Sequence, residues 1–246
     1  MTLLRDCLPA LFSTDARSIY PPGRNSMVTL DKAWAAQLGV SRDRGAYRIR
    51  RSALIQRLAD MGQALPAPAE WTIDPAHTSV GFVARHMMIS KVRGRFRQVA
   101  GRINVAEVPE RSEVDIVVEA ASIDTGQPIR DDHLRSPDFL DVANHPQLRF
   151  RSTQLEQSDE RTYKLSGELT IRGVTRPVTL DLNYLGTAKD PSGNCRVAFE
   201  ARAEINREDF GLTWNQPLET GGVLIGKHVA LEIEAQAVVG QYPAAA

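Results

Sequence analysis

The chain has 246 residues, 42% of them apolar and 24% charged, the balance of an ordinary soluble globule. Its 30 basic residues are offset by 30 acidic ones, which excludes a chain built mainly to neutralise the phosphates of nucleic acid. Only Cys7 and Cys195 are present, which excludes a disulfide framework and a multi-cysteine zinc site and leaves the core to hold the fold.

Charge is unevenly spread: residues 1–66 carry ten Arg or Lys against five Asp, and residues 67–246 carry the other 20 basic and 25 acidic side chains. The opening MTLLRDCLPALFSTDAR has Asp6 and Pro9 around a short apolar run, too short for a secretory signal or a membrane span, so a cytoplasmic location is the expectation. Residues 1–30 have no sustained period and read as a poorly ordered arm. DKAWAAQL, residues 31–38, predicts a helix with Thr29 or Asp31 as cap and Gly39 as stop. RSALIQRLADM, residues 51–61, predicts a second, with Leu54, Ile55 and Leu58 as its apolar stripe. Arg42, Arg44, Arg48, Arg50 and Arg51 accompany them. Two readings stand: a helix-turn-helix that meets DNA phosphates through residues 31–62, or, preferred, a small helical appendage of unknown function with solvated arginines. The stiff stretch LPAPA, residues 65–69, marks the boundary between 1–66 and 67–246.

Beyond it, apolar and polar residues alternate. Val80, Phe82 and Ala84 take one side of a strand, and Ile116, Val118 and Ala120 one side of another. The pattern returns at Leu165 to Ile171, Val178 to Tyr184, Val197 to Ile205 and Val229 to Ala237. A period of two gives each strand one buried and one wet face. Gly94 and Gly101 sit inside strand-like sequence, where a closing sheet bends. The longest irregular stretch runs from Ile123 to Pro146; within it Ser136 and Pro137 predict a one-turn helix over residues 138–141. Ser158–Arg161 and Asp190–Asn194 read as hairpin turns. About eight strands without a long intervening helix describe an all-β antiparallel barrel in preference to a sandwich, because closure removes unprotected edges.

WTIDPAHTSVGFVARHM, followed in order by SKVRGRF, SIDT, RDDHLRSPDF, GELTIRGVTRPVTL and NREDFGL, resembles the YceI-like polyisoprenoid-binding family over about residues 71–238. The resemblance implies an eight-stranded lipocalin-like barrel whose interior holds the chain of a polyprenyl phosphate or an isoprenoid quinone. Small inward residues (Ala120, Gly167, Ala201, Ala203, Ala235, Ala237) are consistent with open space inside, although taper alone would also use them. The expected tail-binding residues are Phe82, His86, Phe96, Ile116, Val118, Leu169, Leu180, Leu182, Phe199, Ala201, Leu231 and Ile233. For the head group the candidates are Arg130 and His133, in a cluster with Asp131, Asp132 and Arg135. Two roles compete there: contact with a phosphate or quinone carbonyl at the barrel mouth, or side-chain pairing that holds the loop against the rim.

The five histidines, His77, His86, His133, His145 and His228, lack metal-ligand spacing. Ser122, Ser136 and Ser152 have no nucleophile elbow, and Cys195 has only Arg196 as a basic neighbour. The expectation is therefore non-catalytic binding, carriage or storage of a lipid, with no cofactor beyond it; an enzyme acting on a small apolar substrate in the barrel is the alternative. The expected partners are the lipid and a membrane touched transiently for loading. A homodimer is left open, and nucleic acid is not expected.

Overall fold

The computed structural model describes residues 27–30, 32–37, 40–43, 45–50, 54, 65–219 and 221–240, and the chain divides into two compact units, Met1–Gln63 and Ala64–Ala246. Among the described residues of the first unit, β1 (Met27–Leu30), β2 (Arg42–Asp43) and β3 (Ala46–Arg50) form an antiparallel sheet of order β1-β3-β2, and α1 (Lys32–Gln37) follows β1 in the chain. Leu30, Ala35, Ile49 and Leu54 make its core. The helix expected over 31–38 is present as α1, but the unit is not helical alone: Met27–Leu30 belongs to a strand, and Arg42, Arg48 and Arg50 stand on strands. The reason lies in AYRIR, where Ile49 is buried between exposed Arg48 and Arg50, a period of two that the count of arginines obscured. Of the expected second helix, Leu54 is described and helical; the rest lies outside the described residues.

The second unit is a closed antiparallel barrel. Its strands are β4 (Ala69–Ile73), β5 (Ser79–His86), β6 (Ser90–Phe96), β7 (Val99–Val105), β8 (Glu113–Glu119), β9 (Ile123–Asp124), β10 (Gln147–Asp159), β11 (Thr162–Ile171), β12 (Val174–Lys189), β13 (Cys195–Asn206) and β14 (Ile225–Val239). Three pairs of these are single long strands, each broken once. β4 continues into β5, β6 into β7, and β8 into β9; β5 pairs β6, β4 pairs β7, β7 pairs β8 and β6 pairs β9. Counted so, eight strands follow one another around the barrel, and β13–β14 pairing closes it.

The three breaks lie side by side and form one crease. At the first, Asp74 caps a 3-10 turn over Pro75–His77. At the second, Arg97 N donates to Ser122 O (3.1 Å) and Gln98 N to Ser122 Oγ (3.1 Å). At the third, Ala120–Ser122 form another 3-10 turn. Ala120 is thus in a turn and not on the strand that alternation extended to it. Gln236 of β14 serves the crease from the other side, its O accepting from Asp74 N at 2.8 Å.

One helix, α2 (Pro128–Arg135), lies in the long connection between β9 and β10. The expected one-turn helix at 138–141 is absent; Ser136 Oγ accepts from Asp138 N at 3.3 Å in a series of turns. Proline at a first helical position is the signal in both places, and Pro128, not Pro137, uses it. Among the described residues no helix is long and apolar enough to cross a membrane.

Asp74 ties the crease to the closing strands. Its side chain is fully buried; Oδ1 accepts from Ala76 N at 2.9 Å, Oδ2 lies 2.7 Å from His77 Nδ1, and Arg196 Nη1 donates to it. Arg196 Nε also donates to Asp190 Oδ2 at 2.9 Å. Bonds from Asn194 and Arg196 lower the Asp190 pKa from 3.8 to about 2. Replacing Asp74 by Ala leaves Arg196 without its buried partner and is expected to cost about 3 kcal/mol in chemical denaturation. Because the folded-state pKa of Asp190 is depressed, its contribution is present above pH 3.8 and lost as pH falls towards about 2. Asp190→Asn should flatten the stability–pH curve across that window and leave it unchanged near neutrality in shape.

Candidate functional site

The alternating strands turn their apolar faces inward, and the barrel is not filled by them. A first chamber of about 170 Å³ is bounded by Ile73, Ile103, Val114, Leu165, Val178 and Ala235 among others. Of the residues expected to hold a tail, Ile116, Val118, Leu169, Leu180, Leu182, Phe199, Ala201 and Ile233 line this chamber. A second chamber of about 180 Å³ lies towards α2, where His86 and Arg130 join Leu134, Leu140, Leu212 and Ile225. Phe82, Phe96 and Leu231 line both chambers. The Phe82 and Phe96 rings, with centroids 5.8 Å apart, form part of the shared wall.

Gly167 works against the idea that small inward residues mean open space, and Gly94 is packed in the same way. A Cβ on Gly94 would come within 2.7 Å of Phe82 Cε1, and one on Gly167 within 2.5 Å of Phe150 Cζ. Each glycine accommodates an aromatic ring from the neighbouring strand. Ala201 and Ala235, by contrast, face the first chamber.

The polar residues at the α2 end are held by the protein itself. Arg130 Nε donates to Thr125 Oγ1 (2.7 Å) and Nη2 to Thr125 O (3.0 Å). Buried Asp131 accepts from Thr125 N at 2.9 Å. Arg135 Nε donates to Ala121 O (2.9 Å), Nη2 to Ile123 O (2.8 Å), and Nη1 to Asp132 Oδ1 (2.9 Å). These bonds pin α2 to the end of the β8–β9 strand. His133 is not a chamber residue: its Nε2 is 2.9 Å from Asp138 Oδ2, and its ring meets Phe139 and Trp214 edge-on at 5.0 and 4.7 Å. Helical spacing explains the split, since Arg130 and Leu134, four apart, share the face turned to the second chamber.

Arg207 is a lining residue that sequence reading did not single out. It is 4% exposed and its Nε donates to Gly226 O at 3.0 Å, with Nη1 on Leu212 O. Burial lowers its pKa. Its stem lines the second chamber while its guanidinium closes backbone carbonyls of the segment that leads into β14. The NREDFGL stretch was the available signal. Among the described residues, no group of three or more His, Cys, Asp or Glu is arranged to hold a metal ion. The chambers thus offer a largely apolar, non-directional interior.

The geometry of the shared wall gives a direct test. Gly94→Ala should push the Phe82 ring off its seat and narrow the passage, whereas Phe82→Ala should join the chambers; xenon binding in crystals reads both changes. Phe82→Ala should also cost about 3 kcal/mol or more in stability as a large-to-small core change.

Residues 71–237 match the YceI-like domain. A UPF0312 protein of Pectobacterium carotovorum is 36% identical over 160 residues, 65% of this chain and 83% of that protein. The crystal structure of the Campylobacter jejuni YCEI protein is similar at TM-score 0.55 and 28% identity, covering 64% of this chain and 90% of that one. A polyisoprenoid binding domain from Saccharophagus degradans shares the fold at TM-score 0.53 and 17% identity, covering 70% of this chain and 99% of that one.

Proposed function

Since the chain belongs to the YceI-like domain family, we propose that its barrel binds, and carries or stores, a polyisoprenoid lipid without acting on it chemically. The observation that carries this reading is the pair of apolar chambers running from the β4–β7 side of the barrel to α2. A solved relative of the same fold is described as a polyisoprenoid binding domain. Branched prenyl chains suit walls of Val, Leu, Ile and Phe, because such walls recognise volume and not direction. At about 0.3 kcal/mol per buried atom, each five-carbon isoprene unit supplies about 1.5 kcal/mol. A long chain would span both chambers only if Phe82 and Phe96, which line both, turned aside. The head group, a phosphate or a quinone ring, stays where polar groups are, next to Arg130 at the α2 end.

Organic extraction of the purified protein followed by mass spectrometry should recover a prenyl lipid in stoichiometric amount; an empty extract after expression in a prenyl-lipid-producing host overturns the reading. Ala201→Phe should shorten the longest chain accepted by filling the first chamber. Arg130→Ala should weaken a phosphorylated or quinone ligand by about 1.5 to 3 kcal/mol and leave a bare prenyl hydrocarbon unaffected. Equal losses for both ligands would assign Arg130 to holding Thr125 alone.

A further inference from the structure

The β5–β6 hairpin ends at the same side of the barrel as α2, since His86 and Arg130 line one chamber, and its tip is apolar and exposed. Met87, Met88 and Ile89 are 40%, 52% and 81% exposed in succession, and Ile129 on α2 is 84% exposed. The other exposed large apolar residues among those described, Met27, Val108, Leu185 and Val239, occur singly. Met87 and Met88 have φ of 51° and 63°, and Ile89 N donates to His86 O at 3.2 Å across them. That is a turn with both central residues in left-handed backbone, a place where Asn-Gly is the favoured pair. Two large unbranched apolar side chains occupy it at a conformational cost, projecting into solvent.

Below the tip, Arg85 and Lys91 face each other directly in the ladder. Both are exposed, and like charges opposite one another on a strand pair are unfavourable unless something else meets them. Neither forms an ion pair with a described carboxylate. The adjoining 217–224 segment offers one acidic residue, Glu219. Arg85, His86 and Arg130 also border the second chamber, so the apolar tip and the cationic pair flank the α2 end of the cavity.

We propose that this end of the barrel docks on an anionic lipid bilayer, with Met87, Met88 and Ile89 entering the interface and Arg85 and Lys91 meeting lipid phosphates. The arrangement combines apolar insertion with phosphate attraction, the two contributions that hold peripheral proteins at membranes. It rests on the lipid-binding reading only for its purpose, passage of a prenyl chain between bilayer and barrel without crossing water.

The test is sedimentation of the full-length protein with vesicles of phosphatidylcholine alone or mixed with phosphatidylglycerol. The protein should partition to the mixed vesicles and be released by rising salt. Met87→Asn combined with Met88→Gly supplies the residues the turn favours, so the variant should melt at a higher temperature and yet partition at least roughly tenfold more weakly. Arg85→Gln with Lys91→Gln should remove the salt dependence. Failure of the wild-type protein to bind mixed vesicles, or undiminished binding by the Asn-Gly variant, overturns the docking surface. Lipid extraction on the same preparations keeps the two readings apart: a loaded protein that ignores vesicles defeats docking alone, and an empty protein that binds them through the tip supports docking while defeating the prenyl-lipid reading.

Discussion

The barrel depends on β14 serving two edges at once. Along one side it pairs with β13 from Arg196↔Val238 to Asn206↔His228. Along the other it pairs first with β5 and then, past the crease, with β4. A strand that holds both neighbours leaves no free edge, and edges are what an all-β chain must otherwise defend. The crease lets one partner strand follow β14 over its full length despite the coiling of a closed sheet, since a local break absorbs the bend. Asp74 sits where these requirements meet, capping the break in one strand and binding the arginine of β13.

Burial of that carboxylate is costly by itself and becomes tolerable because donors from the seam meet it. The β4–β5 turn supplies Ala76 N, the adjacent His77 ring lies against it, and β13 supplies Arg196. Arg196 then reaches Asp190 in the β12–β13 turn. At the opposite end, Arg207 plays the corresponding part by donating to backbone carbonyls. The barrel is therefore anchored by polar groups at its ends and left apolar between them, which is the division a cavity for a hydrocarbon chain requires.

Strand parity was legible because it is local: Val80 and Phe82, or Ile116 and Val118, declare their face from spacing alone. The role of Gly94 or Gly167 was not, since each accepts a ring from a neighbouring strand and only register brings the two together. α2 was hidden by its composition. PIRDDHLR has a single Leu and a single Ile, so no apolar period marks it, and its anchoring bonds run to Ala121, Ile123 and Thr125. Arg207 escaped notice for a related reason: an arginine in a turn reads as solvated, and its burial goes with the carbonyls of Leu212, Ile225 and Gly226, the last two distant in sequence, that meet its guanidinium. In the first unit, a run of arginines drew the reading towards a basic turn although Ile49 between them carried the strand signal.

An apolar interior that its own side chains do not fill is a standing cost. At about 24 cal/mol per Å³, a chamber of 170 Å³ forfeits about 4 kcal/mol of packing, a large share of the 5–15 kcal/mol that typically separates folded from unfolded domains. Larger side chains at Ala201 and Ala235 would remove the cost without disturbing strand alternation, so the fold as such does not demand the space. Under the proposed reading, the space is a site whose affinity grows with each atom of hydrocarbon buried. The Phe82 and Phe96 rings, which line both chambers and meet each other, fit the same proposal: a chain that displaced them would replace those contacts with its own. The unfilled core and the polar anchors at its ends are thus two parts of one arrangement, with the closed seam of β14 supplying the stability that an open interior gives up.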